Sequence, residues 1–177
     1  MENLKERIIR ALKLDAGLYE EVEADKTAMS QAMIVVLLSG VAAGIGTISV
    51  SGFGGLFSGA IIAVIGWFLW AYLAFLIGTK IMPEPQTKAD PGELLRTIGF
   101  AAAPGMIRVI AIIPLLHDAV FAIASIWMIA ALVIAVKQAL DYKSTLRAVS
   151  VCVIAWIIQV LVLVGLVNIL GLSAKPV

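Results

Sequence analysis

Five long apolar stretches, separated by charged or glycine-rich segments, set the strongest constraint on this chain. A hydrocarbon core about 30 Å thick is crossed by about 20 helical residues, and each stretch comes close to that length or exceeds it. The sequence therefore predicts an all-α membrane protein with five transmembrane helices. The stretches cover residues 29–50, 54–79, 97–116, 119–137 and 148–171. Two of the breaks between them are short, namely Ser51-Gly52-Phe53-Gly54-Gly55 and Leu116-His117-Asp118.

The composition agrees with this assignment and removes several classes of function. The chain is 62% hydrophobic and 14% charged, whereas an ordinary soluble domain has about 25% charged residues. With a formal net charge of +1, the chain has no excess of basic residues of the kind found in nucleic-acid-binding proteins. Cys152 and His117 are each the one residue of their type. A disulfide framework, a zinc knuckle or a Cys–His pair within the chain is therefore excluded.

The basic residues predict the threading, because Lys and Arg near span ends stay on the cytoplasmic side. Five crossings put eleven of the 13 basic residues on one side, and Lys175 is alone on the other. The N-terminus is thus expected in the cytoplasm and the C-terminus outside. Pro104, Gly105 and Pro114 would also allow the third stretch to be re-entrant. A re-entrant third stretch would place the basic residues of 137–147 outside, against the positive-inside rule. Five crossings therefore agree better with the distribution of basic residues.

No cleaved secretory signal is expected, because no apolar run appears before about residue 29. The short loops suit a compact bacterial protein of the inner (plasma) membrane. We expect three parts: a cytoplasmic amphipathic segment, a five-span domain and a short outer tail, at residues 1–27, 28–171 and 172–177.

The N-terminal segment has the pattern of a helix lying at the membrane surface. Its first apolar residues recur at helical spacing and alternate with four basic ones. Asp15 is expected to cap a second helix, in which Leu18, Tyr19 and Val22 face the bilayer while acidic residues face water. Such a segment could bind anionic lipid, sense curvature, dock a cytosolic partner or only anchor the first span.

Glycine pairs and aromatic residues predict how the spans pack. GxxxG patterns place small residues where helices in lipid approach closely. We expect these faces to pack within the chain rather than to form a dimer. The paired glycines are Gly40, Gly44, Gly55 and Gly59, and Gly66 and Gly78 further along the second span are expected at helix contacts as well. The aromatic residues of the spans are also expected between helices, and these are Trp67, Trp70, Tyr72, Trp127 and Trp156.

Arg108, inside the third stretch, is the polar residue that most needs a partner. An unpaired guanidinium costs at least about 2.5 kcal/mol at the centre of a membrane helix. Its candidate partners are the carbonyls freed by two prolines, the amide of Gln159 and the carboxylate of Asp118. Arg108 either holds a kinked helix in place, or binds an anionic headgroup or lines a polar cavity.

No residue pattern in the chain supports an enzyme. All acidic residues lie in loops, tails or turns, which argues against an ion-coupled transporter. The sequence has no P-loop, GxSxG or HExxH motif. His117 and Asp118 are an incomplete metal or proton-relay site. No cofactor and no metal are expected.

One segment of the third stretch resembles a family signature. Gly99-Phe100-Ala101-Ala102-Ala103-Pro104 resembles the Gly-Tyr-x-x-x-Pro signature of the Yip-domain family. The cytoplasmic N-terminal segment, the five spans and Ser144-x-x-Arg147-Ala148 before the fifth span are also similar to that family. Members are five-span proteins known for interacting with Rab-type GTPases in vesicle traffic. The resemblance implies that fold. Independently of the family, Pro104 interrupts the helical hydrogen bonds four residues before Arg108, so Gly99, Phe100, Pro104 and Arg108 form one neighbourhood.

The chain departs from the eukaryotic branch of the family before the first span. That branch carries Asp-Leu-Tyr-Gly-Pro, whereas this chain reads Gly17-Leu18-Tyr19-Glu20-Glu21. This departure argues against a Rab-type GTPase as partner. In this respect the chain resembles the bacterial branch of the family.

Three functions are compatible with these observations. The first is a non-catalytic membrane scaffold or accessory protein that binds a membrane-protein partner or a second copy. The second is a lipid- or small-amphiphile-handling protein that uses the broken third span, with Arg108, Gly99, Phe100, Pro104 and Gln159 as candidate binding residues. The third is a small subunit of a larger membrane complex. Membrane lipids are expected partners in each case, and nucleic acid is not.

Overall fold

The computed structural model describes residues 3–48 and 54–169, with side chains for 3–48, 59–162 and 164. Over those residues the fold is helical and contains no strand. In this described part of the chain, seven α-helices are separated by short turns and by stretches of 3₁₀- or π-helix. They are α1 (Leu4–Leu12), α2 (Ala16–Ala24), α3 (Ala28–Gly46), α4 (Gly54–Leu76), α5 (Pro91–Ala101), α6 (His117–Ala139) and α7 (Thr145–Ile169).

Five segments of the described chain are long and apolar enough to cross a membrane, which confirms the predicted five-span fold. These segments are Ala28–Gly46, Gly59–Ile81, Pro91–Ile112, Pro114–Ala139 and Thr145–Val162. The third begins six residues earlier than predicted. Asp90 caps its N-terminus, accepting from the backbone N–H groups of Gly92 and Glu93, and Pro91 occupies the first turn. The Gly-rich break at residues 51–53 and the predicted tail at 172–177 lie outside the described residues.

The third span changes its helix type halfway. The α-helix α5 ends at Ala101, and Ala103–Ile112 continue as a 3₁₀-helix. Pro104 lies at the start of this change and has no N–H to donate to an α-helical bond. A second short 3₁₀ turn, Pro114–Leu116, leads directly into α6. Arg108 therefore lies on a backbone with three residues per turn.

The turn between the third and fourth spans lies slightly earlier than predicted. The helix α6 begins at His117 itself, so the expected break at Leu116-His117-Asp118 is wrong by a few residues. His117 Nδ1 donates to the carbonyl of Gly46 over 3.1 Å. His117 thus joins this turn to the end of the first span.

Three segments carry most of the charged residues, at 2–26, 80–96 and 137–147. Their described parts meet at one end of the bundle, which we call the charged end. Arg147 donates to the carbonyl of Pro83 over 2.8 Å. The Gln86 side chain donates to the carbonyl of Asp141 over 2.9 Å. Gln138 donates to Glu20 of α2 over 2.9 Å. The N-terminal pair of helices and both polar loops are therefore joined at the charged end.

The N-terminal helices pack on protein, which corrects their expected orientation. Leu18, Tyr19 and Val22 of α2 are fully buried in the protein core and do not face the bilayer. Trp127 of the fourth span donates its indole N–H to the carbonyl of Leu12 over 3.1 Å. An apolar helix face can bury itself against protein as readily as against lipid. Its periodicity alone does not distinguish the two environments.

A buried arginine holds the N-terminal helices together. Arg7, 4% exposed, lies on α1 between α2 and α3. Its Nη2 lies 2.7 Å from Glu21 and 2.8 Å from Asp25. Its Nη1 donates to the side chain of Gln31 over 3.0 Å. Arg10 also pairs with Glu21 and with Asp15. These ion pairs use two of the four basic side chains that were expected to attract anionic lipid.

Two of the glycine faces lie against each other between the first and second spans. A Cβ atom on Gly40 would lie 2.8 Å from Cβ of Ala63 and 3.1 Å from the carbonyl oxygen of Gly59. A Cβ on Gly59 would lie 3.5 Å from Cα of Gly44. Close backbone approach of this kind requires residues without side chains. Gly55 precedes the part of α4 whose side chains are described.

The aromatic residues divide between the interior and the outer surface of the bundle. Trp67 is 5% exposed and donates to the carbonyl of Leu95 over 2.8 Å. Trp156 and Tyr72 are 62% and 53% exposed, so their expected position between helices is wrong. Within a membrane these two side chains face lipid or a partner.

Glu23 makes the stability of the charged end dependent on pH. Burial first, and then the nearby carboxylates of Asp141, Glu93 and Glu20, raise the pKa of Glu23 to about 7, while Arg96 acts in the opposite direction. A folded-state pKa above the ordinary 4.5 means that ionisation opposes folding. Stability that is complete below pH 4.5 is therefore lost progressively as the pH rises through 7.

We expect Glu23→Gln to stabilise the protein increasingly as the pH rises from mildly acidic to mildly alkaline. The gain should reach about 1–2 kcal/mol, after allowance for the partial contact of Glu23 with water. Thermal unfolding in detergent across that range measures it. The exposed Glu6→Gln on α1 is the control and should show no such trend. A gain from Glu23→Gln that is independent of pH would contradict the assignment.

Candidate functional site

The signature in the third span is a packing surface against the first span. A Cβ atom on Gly99 would lie 2.7 Å from Cβ of Ala32 and 3.3 Å from its Cα. Phe100 and Pro104 are fully buried. A Cβ on Gly105 would collide with the Ser39 hydroxyl oxygen. The signature thus brings the backbones of the third and first spans into direct contact.

Arg108 follows this surface in the 3₁₀ segment and contacts the fourth span. Its Nη2 donates to the Ser125 hydroxyl over 3.1 Å, and its guanidinium carbon lies 5.2 Å from the centre of the Phe121 ring. Ser125 in turn donates to the carbonyl of Phe121 over 2.7 Å. Cation–π contact and the hydroxyl together stabilise the charge.

The guanidinium is only partly satisfied by the described chain. Nε of Arg108 is buried and has no hydrogen-bond partner among the described residues. Within the same residues, the carbonyls freed by the two prolines, Gln159 and Asp118 accept no hydrogen bond from Arg108, contrary to expectation. Ser125 was not expected from the sequence. A guanidinium has five N–H donors, so donors remain for a further acceptor.

Arg108 borders a cavity of about 530 Å³ in the membrane-spanning part of the bundle. Every span contributes to its wall. The polar side chains that line it are Ser39, Arg108, Ser125 and Gln159. The rest is apolar and includes Trp67, Met128 and Leu132. Pockets of about 300–1,000 Å³ with apolar walls and a few polar groups are typical of small-molecule sites.

One position in the cavity wall, Gly66, has free space where a larger residue would place its side chain. Gly66 lines the cavity, and a Cβ atom added there would meet no atom within 4 Å. This glycine differs from Gly40 and Gly59, which also line the cavity but are in close contact with a neighbouring helix. Gly66 was expected to lie in a helix contact, and the absence of any atom within 4 Å of its Cβ position contradicts this. Neither Gly66 nor Ser39 was expected at a binding site.

The predicted site residues therefore fall into two groups. Arg108 and Gln159 share the cavity wall. Gly99, Phe100 and Pro104 pack in the protein and do not line the cavity. These three residues instead position the backbone that carries Arg108.

The chemistry available at the cavity is recognition by charge and hydrogen bonds. One fixed cation, two hydroxyls and one amide face an otherwise apolar space. In the described part of the chain, no three His, Cys, Asp or Glu side chains gather where they could hold a metal ion.

Comparison with known proteins gives a family. The model of the Yip1 domain matches residues 18–167, which include the signature, Arg108 and all five spans. No curated protein and no solved structure matches the chain. The match covers most of the sequence and agrees with the signature and the five-span fold, and the chain is therefore an integral membrane protein that belongs to the Yip1 domain family.

Proposed function

We propose that this protein is a non-catalytic membrane protein that binds a lipid or small amphiphile in the cavity beside Arg108. The observation that carries the proposal is a partly satisfied guanidinium at the edge of a largely apolar cavity of about 530 Å³. An amphiphile has the matching properties, since its polar group can accept hydrogen bonds while its tail covers the apolar wall.

The cavity can be closed by one substitution that does not disturb the helices. Gly66→Phe places an aromatic ring in space that is free of atoms for at least 4 Å around the Cβ position. We expect this variant to fold and to bind amphiphiles about tenfold more weakly or worse, because the ring and the ligand compete for one volume. The measurement uses dibromostearate and its methyl ester, whose bromine atoms quench the fluorescence of Trp67 and Trp70 at the cavity.

Two controls separate binding in the cavity from lipid contact on the outer surface. Trp156→Phe removes the most exposed indole and provides the background for all variants. Gly66→Ala matches the change in helix propensity but leaves most of the cavity open. Saturable quenching that is equal in Gly66→Phe and Gly66→Ala would reject the proposed site. Loss of the saturable quenching in Gly66→Phe but not in Gly66→Ala would support the proposed site.

A scaffold or accessory role is the second candidate, supported by the packing of α1 and α2 on the charged end. Arg7 and Trp127 hold this helical pair in one position. A surface that is already ordered can bind a partner without an ordering cost. Crosslinking in native membranes tests whether the charged end contacts another protein, a second copy or a larger complex. No crosslink from residues of α1 or α2 would argue against this role.

We further propose a bacterial inner membrane with the charged end in the cytoplasm and the C-terminus outside. The basic residues of the charged end support this orientation through the positive-inside rule. Labelling of tags at both termini with an impermeant reagent tests it. Equal accessibility of the two tags would contradict it.

A further inference from the structure

We infer that the ligand of the cavity is an anionic amphiphile whose carboxylate or phosphate group binds Arg108 while one acyl chain occupies the apolar part. This inference rests on the proposed function and names the charge of the ligand and the residue that recognises it.

The first argument is the set of partners around each arginine of the described chain. Arg7, Arg10 and Arg147 each have a carboxylate partner within 4 Å. Arg96 donates instead to the backbone carbonyls of Val22 and Glu23. Arg108 has a hydroxyl and an aromatic ring instead. Both are neutral, so the positive charge inside the bundle stays uncompensated by the described residues. An anion is the group that would compensate it.

The second argument is the chemistry of the cavity wall. Ser39, Ser125 and Gln159 contribute neutral groups, and among the side chains that the structure describes no acidic one lines the cavity. A cationic ligand would meet Arg108 without a counter-charge. A neutral ligand would satisfy the hydrogen bonds but leave the guanidinium charge uncompensated. The wall therefore favours a negative group over the other two.

The third argument is size. A cavity of about 530 Å³ has room for on the order of 18 groups of the size of a water molecule, which takes up about 30 Å³. A methylene group is of similar size, so the cavity has room for one acyl chain with its polar group. Trp67, Met128 and Leu132 provide apolar contacts for such a chain.

The experiment compares three probes on the full chain in detergent at alkaline pH, where fatty acids are ionised. The probes are dibromostearate, its uncharged methyl ester and a brominated dodecyl phosphate. We expect the wild-type protein to bind at least one anion about tenfold more tightly than the ester, and Arg108→Gln to remove that preference. Arg108→Lys should retain part of it, because the charge remains while the planar fork is lost.

The outcomes separate this inference from the proposed function. If the wild-type protein binds the ester as tightly as both anions, the charge assignment is wrong, whether or not Arg108→Gln folds. If an anion is preferred but Arg108→Gln keeps the preference, the assignment to Arg108 is wrong. In both cases sensitivity to Gly66→Phe would still support a binding cavity. The carboxylate and phosphate arms identify the source of the anion, a fatty acid or a phosphorylated lipid.

Discussion

Replacing Gly99 with leucine is expected to destabilise the folded protein by about 3 kcal/mol or more. Its Cβ would lie 2.7 Å from Cβ and 3.3 Å from Cα of Ala32. Because Ala32 is fully buried on the first span, the two helices would have to separate. Overpacking of a well-packed interior costs about 1–3 kcal/mol for smaller changes, and a backbone contact cannot be relieved by a side-chain rotation. Unfolding by denaturant in mixed micelles measures the change.

The chain offers a matched control for this substitution. Gly66→Leu makes the same chemical change on another span, but its Cβ meets no atom within 4 Å. It should be within about 1 kcal/mol of the wild-type protein, since leucine has the better helix propensity. Ala32→Gly in a Gly99→Ala background should restore part of the stability, because it removes the nearest atom. Equal stabilities of Gly99→Leu and Gly66→Leu would contradict the packing described for the signature.

Replacing Arg7 with methionine is expected to release α1 from the bundle and to lower stability by about 2–3 kcal/mol. Removing one partner of a fully buried ion pair costs about 3–5 kcal/mol, because the other charge is left without compensation. The Arg7 side chain is 5% exposed, whereas those of Glu21 and Asp25 are 32% and 27% exposed. Water can therefore hydrate the two carboxylates in part, and the expected cost is lower.

Hydrogen exchange distinguishes local release from global unfolding. In Arg7→Met, amides of Leu4–Leu12 and Ala16–Ala24 should exchange faster, while those in the middle of the spans keep their protection. Lys5→Met changes an exposed residue of the same helix and should have an effect within about 0.5 kcal/mol. Unchanged exchange of α1 in Arg7→Met would show that the ion pairs do not hold the segment.

The five spans could be predicted because bilayer thickness alone sets the length of an apolar run. The start of the third span could not be predicted in this way. Glu93 and Arg96 resemble loop residues in the sequence, yet Arg96 is buried and donates to the carbonyls of Val22 and Glu23 in α2. Both carbonyls lie more than 70 positions before Arg96 in the sequence. A local window of sequence contains no information on such a contact.

The same limit applies to the candidate site. Arg108 is visible in the sequence because an isolated charge in an apolar run is rare. Ser125 and Gly66 are small residues of a kind that every span contains, and only the packing of the helices gives them a role. Leu18, Tyr19 and Val22 of α2 are buried together, but periodicity does not say whether protein or lipid covers such a face.

The 3₁₀ backbone of Ala103–Ile112 determines which residues point inward. Three residues make one turn, so positions three apart form a straight row along the axis, whereas each such step in an α-helix rotates the side chain by about 60°. Gly105 and Ala111 are buried, with Arg108 midway between them. Val109, Ile110 and Ile112 are exposed. The 3₁₀ geometry thus aligns the cation of Arg108 with the two small buried residues on either side of it in the row. The neighbouring apolar side chains point outward, toward the lipid acyl chains.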